Sequence, residues 1–291
     1  MKPTIRFDDN EELLDIRYDH IFKAVFTINT TASKGALSDL ISTLIERKVP
    51  LASITANEPP MKDIRDKSIR FDISCKTESG ELVNIEMSLK PASCEPVRLE
   101  YYAGRLFTRQ NIRGVDKGYS NLKEAYQIAI WAGRCFFKDE ELVHRFEYYD
   151  PARNVSFGGR SRIITLELAK SEHVLEKSVT EMASHESWAV FFQYLTNRGK
   201  REKINEIVQR KEGIAMASEV LINITREDIE WARQLSEEKY ILDRQMMIYD
   251  AKQEGLQEGR LEIAKNLKAN GISVEIIAQS TGLSFEEVEN V

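Results

Sequence analysis

Apolar residues recur at three- and four-residue spacing through Leu13, Leu14, Ile16, Tyr18, Ile21, Phe22, Val25 and Phe26, which predicts an amphipathic helix over about residues 11–28. Ala36, Leu37, Leu40, Ile41, Leu44 and Ile45 repeat that spacing and predict a second helix. Pro50 and then Pro59-Pro60 close it and open an extended region. The pattern then switches to strict alternation. Ile69, Phe71, Ile73 and Cys75 alternate with polar residues, and beyond Glu78-Ser79-Gly80 so do Val83, Ile85, Met87 and Leu89. Two half-buried strands joined by a hairpin are expected. Cross-strand neighbours share a face, so apolar must oppose apolar. A two-residue loop would set Asp72 against Met87. A three-residue loop at 78–80, or a five-residue loop with the same centre, sets Ile73 against Ile85, Phe71 against Met87, Asp72 against Glu86 and Arg70 against Ser88. That register is the consistent one.

Past Pro91, residues 96–112 read as a helix with Leu99, Ala103 and Leu106 on one stripe and Arg98, Tyr102, Arg105 and Arg109 on another. Strand-like runs resume at 126–131, 145–149 and 162–168, separated by turn signals such as Asp150-Pro151 and Gly158-Gly159. From about His185 the pattern is helical, including a long stretch from Arg226 through Leu267. This order of elements suits an α/β or α+β layer over about residues 1–175, with residues 176–291 as a helical C-terminal region. The last unit, Ser273 to Ser284 with a capping box at Ser284 and Glu287, resembles a helix-turn-helix. No Lys or Arg follows Lys268, so packing or dimerisation through these helices fits the unit better than reading DNA.

The chain has 291 residues, of which 42% are hydrophobic and 30% charged, a composition that excludes disorder and collagen-like repeats. No apolar run approaches the roughly 18–20 residues that cross a bilayer, so no membrane association and a cytoplasmic location are expected. Three scattered cysteines and four scattered histidines form no disulfide framework or zinc-type spacing. The net charge of −6 lies wholly in residues 201–291, which carry 12 basic and 18 acidic side chains, whereas residues 1–200 carry 29 of each. Within the neutral part, residues 98–170 carry 13 basic and 9 acidic side chains, a local bias able to face a polyanion. No phosphate-binding GxxxxGK[ST] loop, GxGxxG fingerprint or GxSxG elbow is present.

The expected register brings Asp72 and Glu86 directly across the hairpin, with Cβ atoms about 4.5–5.5 Å apart. Two readings fit. The acids could cradle a hard divalent cation for phosphodiester hydrolysis, with Lys90 positioning the nucleophile or neutralising the phosphate. Spacing alone favours the other reading, a solvated face on which they are balanced by Arg70, Lys76 and Lys90. The stripe Arg98, Tyr102, Arg105 and Arg109 offers phosphate-binding cations around an aromatic, with Lys23 a further candidate of the same kind, or it is simply an exposed face.

Taken together, Tyr18 to Phe26, Arg70-Phe71-Asp72-Ile73, Asn84-Ile85-Glu86-Met87, Arg98 with Tyr102, and Leu166-Glu167-Leu168-Ala169-Lys170 resemble the recombination-promoting nuclease and putative transposase family of the PD-(D/E)XK superfamily over roughly residues 13–170. The resemblance implies a mixed sheet flanked by helices, divalent-metal-dependent (Mg²⁺ or Mn²⁺) cleavage of DNA, and links to recombination or transposition. By position it implies that Asp72 and Glu86 are the acids of the two core strands. It further implies the Met87 carbonyl as an extra metal ligand and Asp19 in the outer shell. Ser88 departs from the pattern, because the superfamily usually has Lys there and this family commonly Gln. A serine hydroxyl cannot replace a lysine's point charge. Either Lys90 reaches into the site, or the chain is a weakened or inactive relative that binds DNA or a partner without cutting.

Overall fold

The computed structural model describes residues 5–55, 72–110 and 118–291. Its centre is a six-stranded sheet built from β1 (Leu51–Thr55), β2 (Ile73–Thr77), β3 (Leu82–Ser88), β4 (Ala125–Trp131), β5 (Val143–Phe146) and β8 (Ser161–Glu167), in the order β1-β2-β3-β4-β8-β5. β3, β4 and β8 run parallel, and the remaining pairs are antiparallel. A small separate hairpin joins β6 (Tyr149–Asp150) to β7 (Val155–Ser156). The β2–β3 ladder pairs Ile73 with Ile85 and Cys75 with Val83, the register that apolar matching requires. The Thr77 N–H donates to the Glu81 carbonyl, leaving a three-residue loop in which Gly80 takes φ +91°, a left-handed conformation that glycine adopts without strain. The expected partners Arg70 and Phe71 lie outside the described residues.

Both faces of the central strands are covered, so β3 and β4 are buried almost throughout. Ile73, Cys75, Val83, Ile85, Met87, Ile128, Ile130, Ile164 and Leu166 form one apolar face. It belongs to the core shared by α1 (Asp19–Thr27), α2 (Thr31–Ile45), α4 (Ser184–Tyr194), α5 (Arg201–Arg210) and α6 (Glu212–Asn223). The opposite face carries Leu82, Ala125, Ala129 and Trp131 and is covered by Leu99, Tyr102 and Leu106 of α3 (Glu95–Thr108). The first helix starts at Asp19 rather than near residue 11. The Asp15 carboxylate accepts from the Arg17 main-chain N–H at 3.0 Å, a local bond that competes with helical pairing.

The chain divides into two compact units, Met1–Lys239 and Tyr240–Val291. The expected boundary near residue 175 therefore moves, because α4, α5 and α6 share the core of the sheet and do not form a separate appendage. The longest helix, α7 (Arg226–Ala269), begins in the first unit and ends in the second. In the second unit its last turns join α8 (Val274–Thr281) and α9 (Phe285–Glu289) around Ala264, Ile277, Ala278, Leu283 and Val288. The Ser284 hydroxyl and the Glu287 carboxylate cap α9 reciprocally. Lys268 donates to the carbonyls of Val288, Glu289 and Val291, where a cation suits the helix C-terminus.

Candidate functional site

Lys23 lies on α1 one turn after Asp19, between core-facing Phe22 and Phe26, and is only 1% exposed. A buried ammonium needs counter-charge. Its Nζ is 3.5 Å from Asp72 Oδ1 and 3.3 Å from Asp19 Oδ2, and it donates to Ser236 Oγ at 3.2 Å. Asp72 immediately precedes β2 and is fully buried, and its Oδ2 accepts from the Met87 N–H at 3.2 Å. Continuing the ladder from Ile73–Ile85 sets Asp72 across from Glu86.

Glu86 is 1% exposed and sits on the α3 face of the sheet. Its Oε2 is 3.0 Å from Arg98 Nη2, and its Oε1 accepts from Asn84 Nδ2 at 3.1 Å. Asn84 also donates to Gln127 on the neighbouring strand at 2.8 Å. Glu95 holds Arg98 from the first turn of α3 at 2.6 Å, and the guanidinium lies 5.2 Å from the centre of the Tyr102 ring. The two acids thus flank the Ile73–Ile85 pair that ends the ladder, and their carboxylates are engaged by cations from helices on opposite faces of the sheet.

The other expected site residues are distributed differently. Ser88 ends β3 half-buried, and its carbonyl accepts from the Ala132 N–H at 2.9 Å. Lys90 does not share the strand face of Glu86. β3 stops at Ser88 ahead of Pro91, which cannot donate to a ladder, and Lys90 is exposed in the bend beyond. Lys23, expected among surface phosphate contacts, instead belongs to the buried carboxylate cluster. Arg98 and Tyr102 are largely buried beside Glu86, and Arg105 is half-buried. Arg109 caps α3, and burial lowers its guanidinium's affinity for its proton. Burial also pushes the nearby Cys75 thiol up to about 12. Sequence reasoning missed Glu95 and Gln127 as supports. A polar residue inside a strand buried on both faces was the available signal for Gln127.

A sheet with a parallel centre, a helix-covered face on each side and a buried Asp and Glu on one hairpin is a mixed α/β arrangement of the PD-(D/E)XK nuclease type. The model of the family described as PD-(D/E)XK nuclease family transposase matches residues 16–251, and the chain belongs to that family. No curated protein and no solved structure matches it.

Nucleases of this type generally use divalent metals. The donor chemistry here suits such an ion, because the two strand acids are buried oxygen donors of the kind hard cations prefer. Among the described residues, no three Asp, Glu, His or Cys side chains converge on a metal-sized position. Two carboxylates would leave much of the coordination to water and substrate oxygens, a mode usual for Mg²⁺.

Proposed function

We propose that this protein is a divalent-metal-dependent DNA endonuclease, hydrolysing phosphodiester bonds in recombination or transposition. The observation that carries the reading is the pair of buried strand carboxylates, Asp72 and Glu86, each backed by a buried cation, Lys23 and Arg98. Asp72 and Glu86 would hold Mg²⁺ or Mn²⁺, with the Met87 carbonyl as a further ligand and Asp19 in the outer shell. When bound, the ion supplies Lewis-acid chemistry that offsets charge on the scissile phosphate and acidifies water. Lys23 supplies from α1 the point charge that Ser88 cannot, orienting Asp72 and stabilising negative charge near it. Arg98, itself gripped by Glu95 through Nε and Nη2, fixes Glu86 through Nη2, and half-buried Arg105 lends positive charge toward the phosphate backbone. Lys90, exposed beyond the strand, contributes to the positive field around the substrate.

The test is cleavage of supercoiled plasmid with and without divalent ion, paired with melting in Ca²⁺. Wild type should nick DNA only with Mg²⁺ or Mn²⁺, and millimolar ion should raise its melting temperature through binding to the folded state alone. Glu86→Ala should lose both effects. Absence of cleavage and of any metal-dependent shift would favour a nuclease-fold module that binds without cutting.

The second unit supports self-association. Ile241, Ile248, Tyr249, Leu256 and Ile263 of α7 are 48–62% exposed. At 100° per residue they fall within an arc of about 100°, on a face roughly 33 Å long. A second copy of this helix would cover that face. Light scattering should show a dimer in wild type and a monomer in Ile248→Lys/Leu256→Lys. A monomeric wild type would reject the dimer without touching the nuclease reading. Among the described residues, no helix is long and apolar enough to cross a membrane.

A further inference from the structure

Across α3 from Glu86 lies a cavity of about 300 Å³ that the proposed chemistry does not use. Trp131, Phe137, Phe146 and Tyr148 supply aromatic walls, and Glu100 and Thr165 also line it. Three of these aromatics form a connected group. Phe137 lies 5.4 Å from Phe146 and 6.3 Å from Trp131, centre to centre. Trp131 and Thr165 are each 1% exposed, yet Trp131 Nε1 and Thr165 Oγ1 have no hydrogen-bond partner among the described residues. Buried polar atoms left in that state are costly and call for a partner.

We propose that this cavity receives an unstacked nucleobase of the DNA substrate, a reading that rests on the nuclease assignment and specifies how the substrate is held. Four aromatic side chains among the lining favour a planar ring over an aliphatic ligand. The lining holds the carboxylates Glu100 and Glu147 and no Lys or Arg, which disfavours a free phosphate. The indole N–H needs an acceptor, the threonine hydroxyl takes either role, and Glu100 accepts. A base edge that carries both a carbonyl acceptor and an amino donor satisfies that set, and guanine and cytosine both present one. Reach also fits. Glu86, Ala129 and Thr165 occupy one row across β3, β4 and β8. Adjacent strands lie about 4.8 Å apart, so the backbones at Glu86 and Thr165 are separated by roughly 10 Å. One strand of DNA could present a phosphate to the acid pair and a neighbouring base to the cavity. Extrusion of a base costs least in single-stranded or mismatched DNA, so such substrates should be preferred.

The experiment uses the full chain in Ca²⁺ and follows binding of single-stranded oligonucleotides, intact or carrying one abasic position at each site in turn, by fluorescence anisotropy. One abasic position should weaken wild-type binding about tenfold, the scale of a lost base–aromatic stack. Phe146→Ala, at an exposed edge-strand position, and Thr165→Val, nearly isosteric, should bind the intact strand correspondingly more weakly and lose most of the intact-versus-abasic difference. Free deoxyguanosine or deoxycytidine should quench tryptophan fluorescence in wild type and less in Phe146→Ala. Equal wild-type affinity for intact and abasic strands, with cleavage preserved, would overturn the cavity proposal and leave the nuclease reading standing. Nucleoside quenching lost in Phe146→Ala, in a protein that neither binds nor cuts DNA, would uphold a base-binding cavity and remove the nuclease reading. No nucleoside quenching and no abasic discrimination would overturn the proposal outright.

Discussion

Lys23→Met will be the most damaging single change at the site, lowering stability by about 3–5 kcal/mol, the usual cost of removing one member of a buried ion pair. The size follows from burial. Asp72 is fully buried, Lys23 is 1% exposed, and the ammonium lies 3.5 Å from one Asp72 oxygen. Methionine keeps the apolar stem, so the loss reports the charge more than the packing. Urea unfolding followed by circular dichroism checks it. In a double-mutant cycle, Lys23→Met/Asp72→Asn should recover part of the loss, because the asparagine oxygen still accepts from the Met87 N–H and the one carboxylate left without its ammonium, Asp19, is partly exposed. Activity separates from stability here. Under conditions where Lys23→Met is folded, cleavage should fall by about 10²–10³, the range for losing one preorganised electrostatic group. A stability change below about 0.5 kcal/mol would mean that the pair contributes no more than an exposed salt bridge.

The hairpin register was legible in the sequence because only one alignment sets apolar residues opposite one another in both strands, and Ile73–Ile85 is that alignment. The role of Lys23 was not. On a helical pattern a lysine four residues after an aspartate reads as a surface pair, and its second partner, Asp72, is brought to it only by packing of α1 against the hairpin. Lys90 was misplaced because alternation was extended through Leu89, although Pro91 already marked the strand's end. The boundary near residue 175 failed for another reason. The apolar faces of α4 to α6 announce burial, but periodicity carries no information about which surface buries them. Likewise, pattern alone sets the two acids one step beyond the Ile73–Ile85 pair, whereas their engagement by cations from opposite faces depends on where α1 and α3 dock.

Glu86→Gln separates catalysis from architecture most cleanly. The amide keeps the size of the side chain and its Oε1 acceptor toward Asn84, and removes the negative charge. Arg98 is not stranded by this change, since Glu95 still holds it at 2.6 Å. The stability cost should therefore stay below that of Lys23→Met, within about 1–2 kcal/mol. Metal-dependent cleavage should nevertheless fall by at least about 10³, because a carboxylate that would bind a hard cation has become a neutral amide. DNA affinity measured without cleavage should hold or rise slightly, as one negative charge facing the phosphates has gone. Cleavage time courses, urea melts and anisotropy on the same preparation check the three parts together. If Glu86→Gln cut DNA at the wild-type rate, the hydrolytic centre would lie elsewhere, and the Glu86, Asn84 and Gln127 network would be a device for satisfying polar groups inside a sheet covered on both faces.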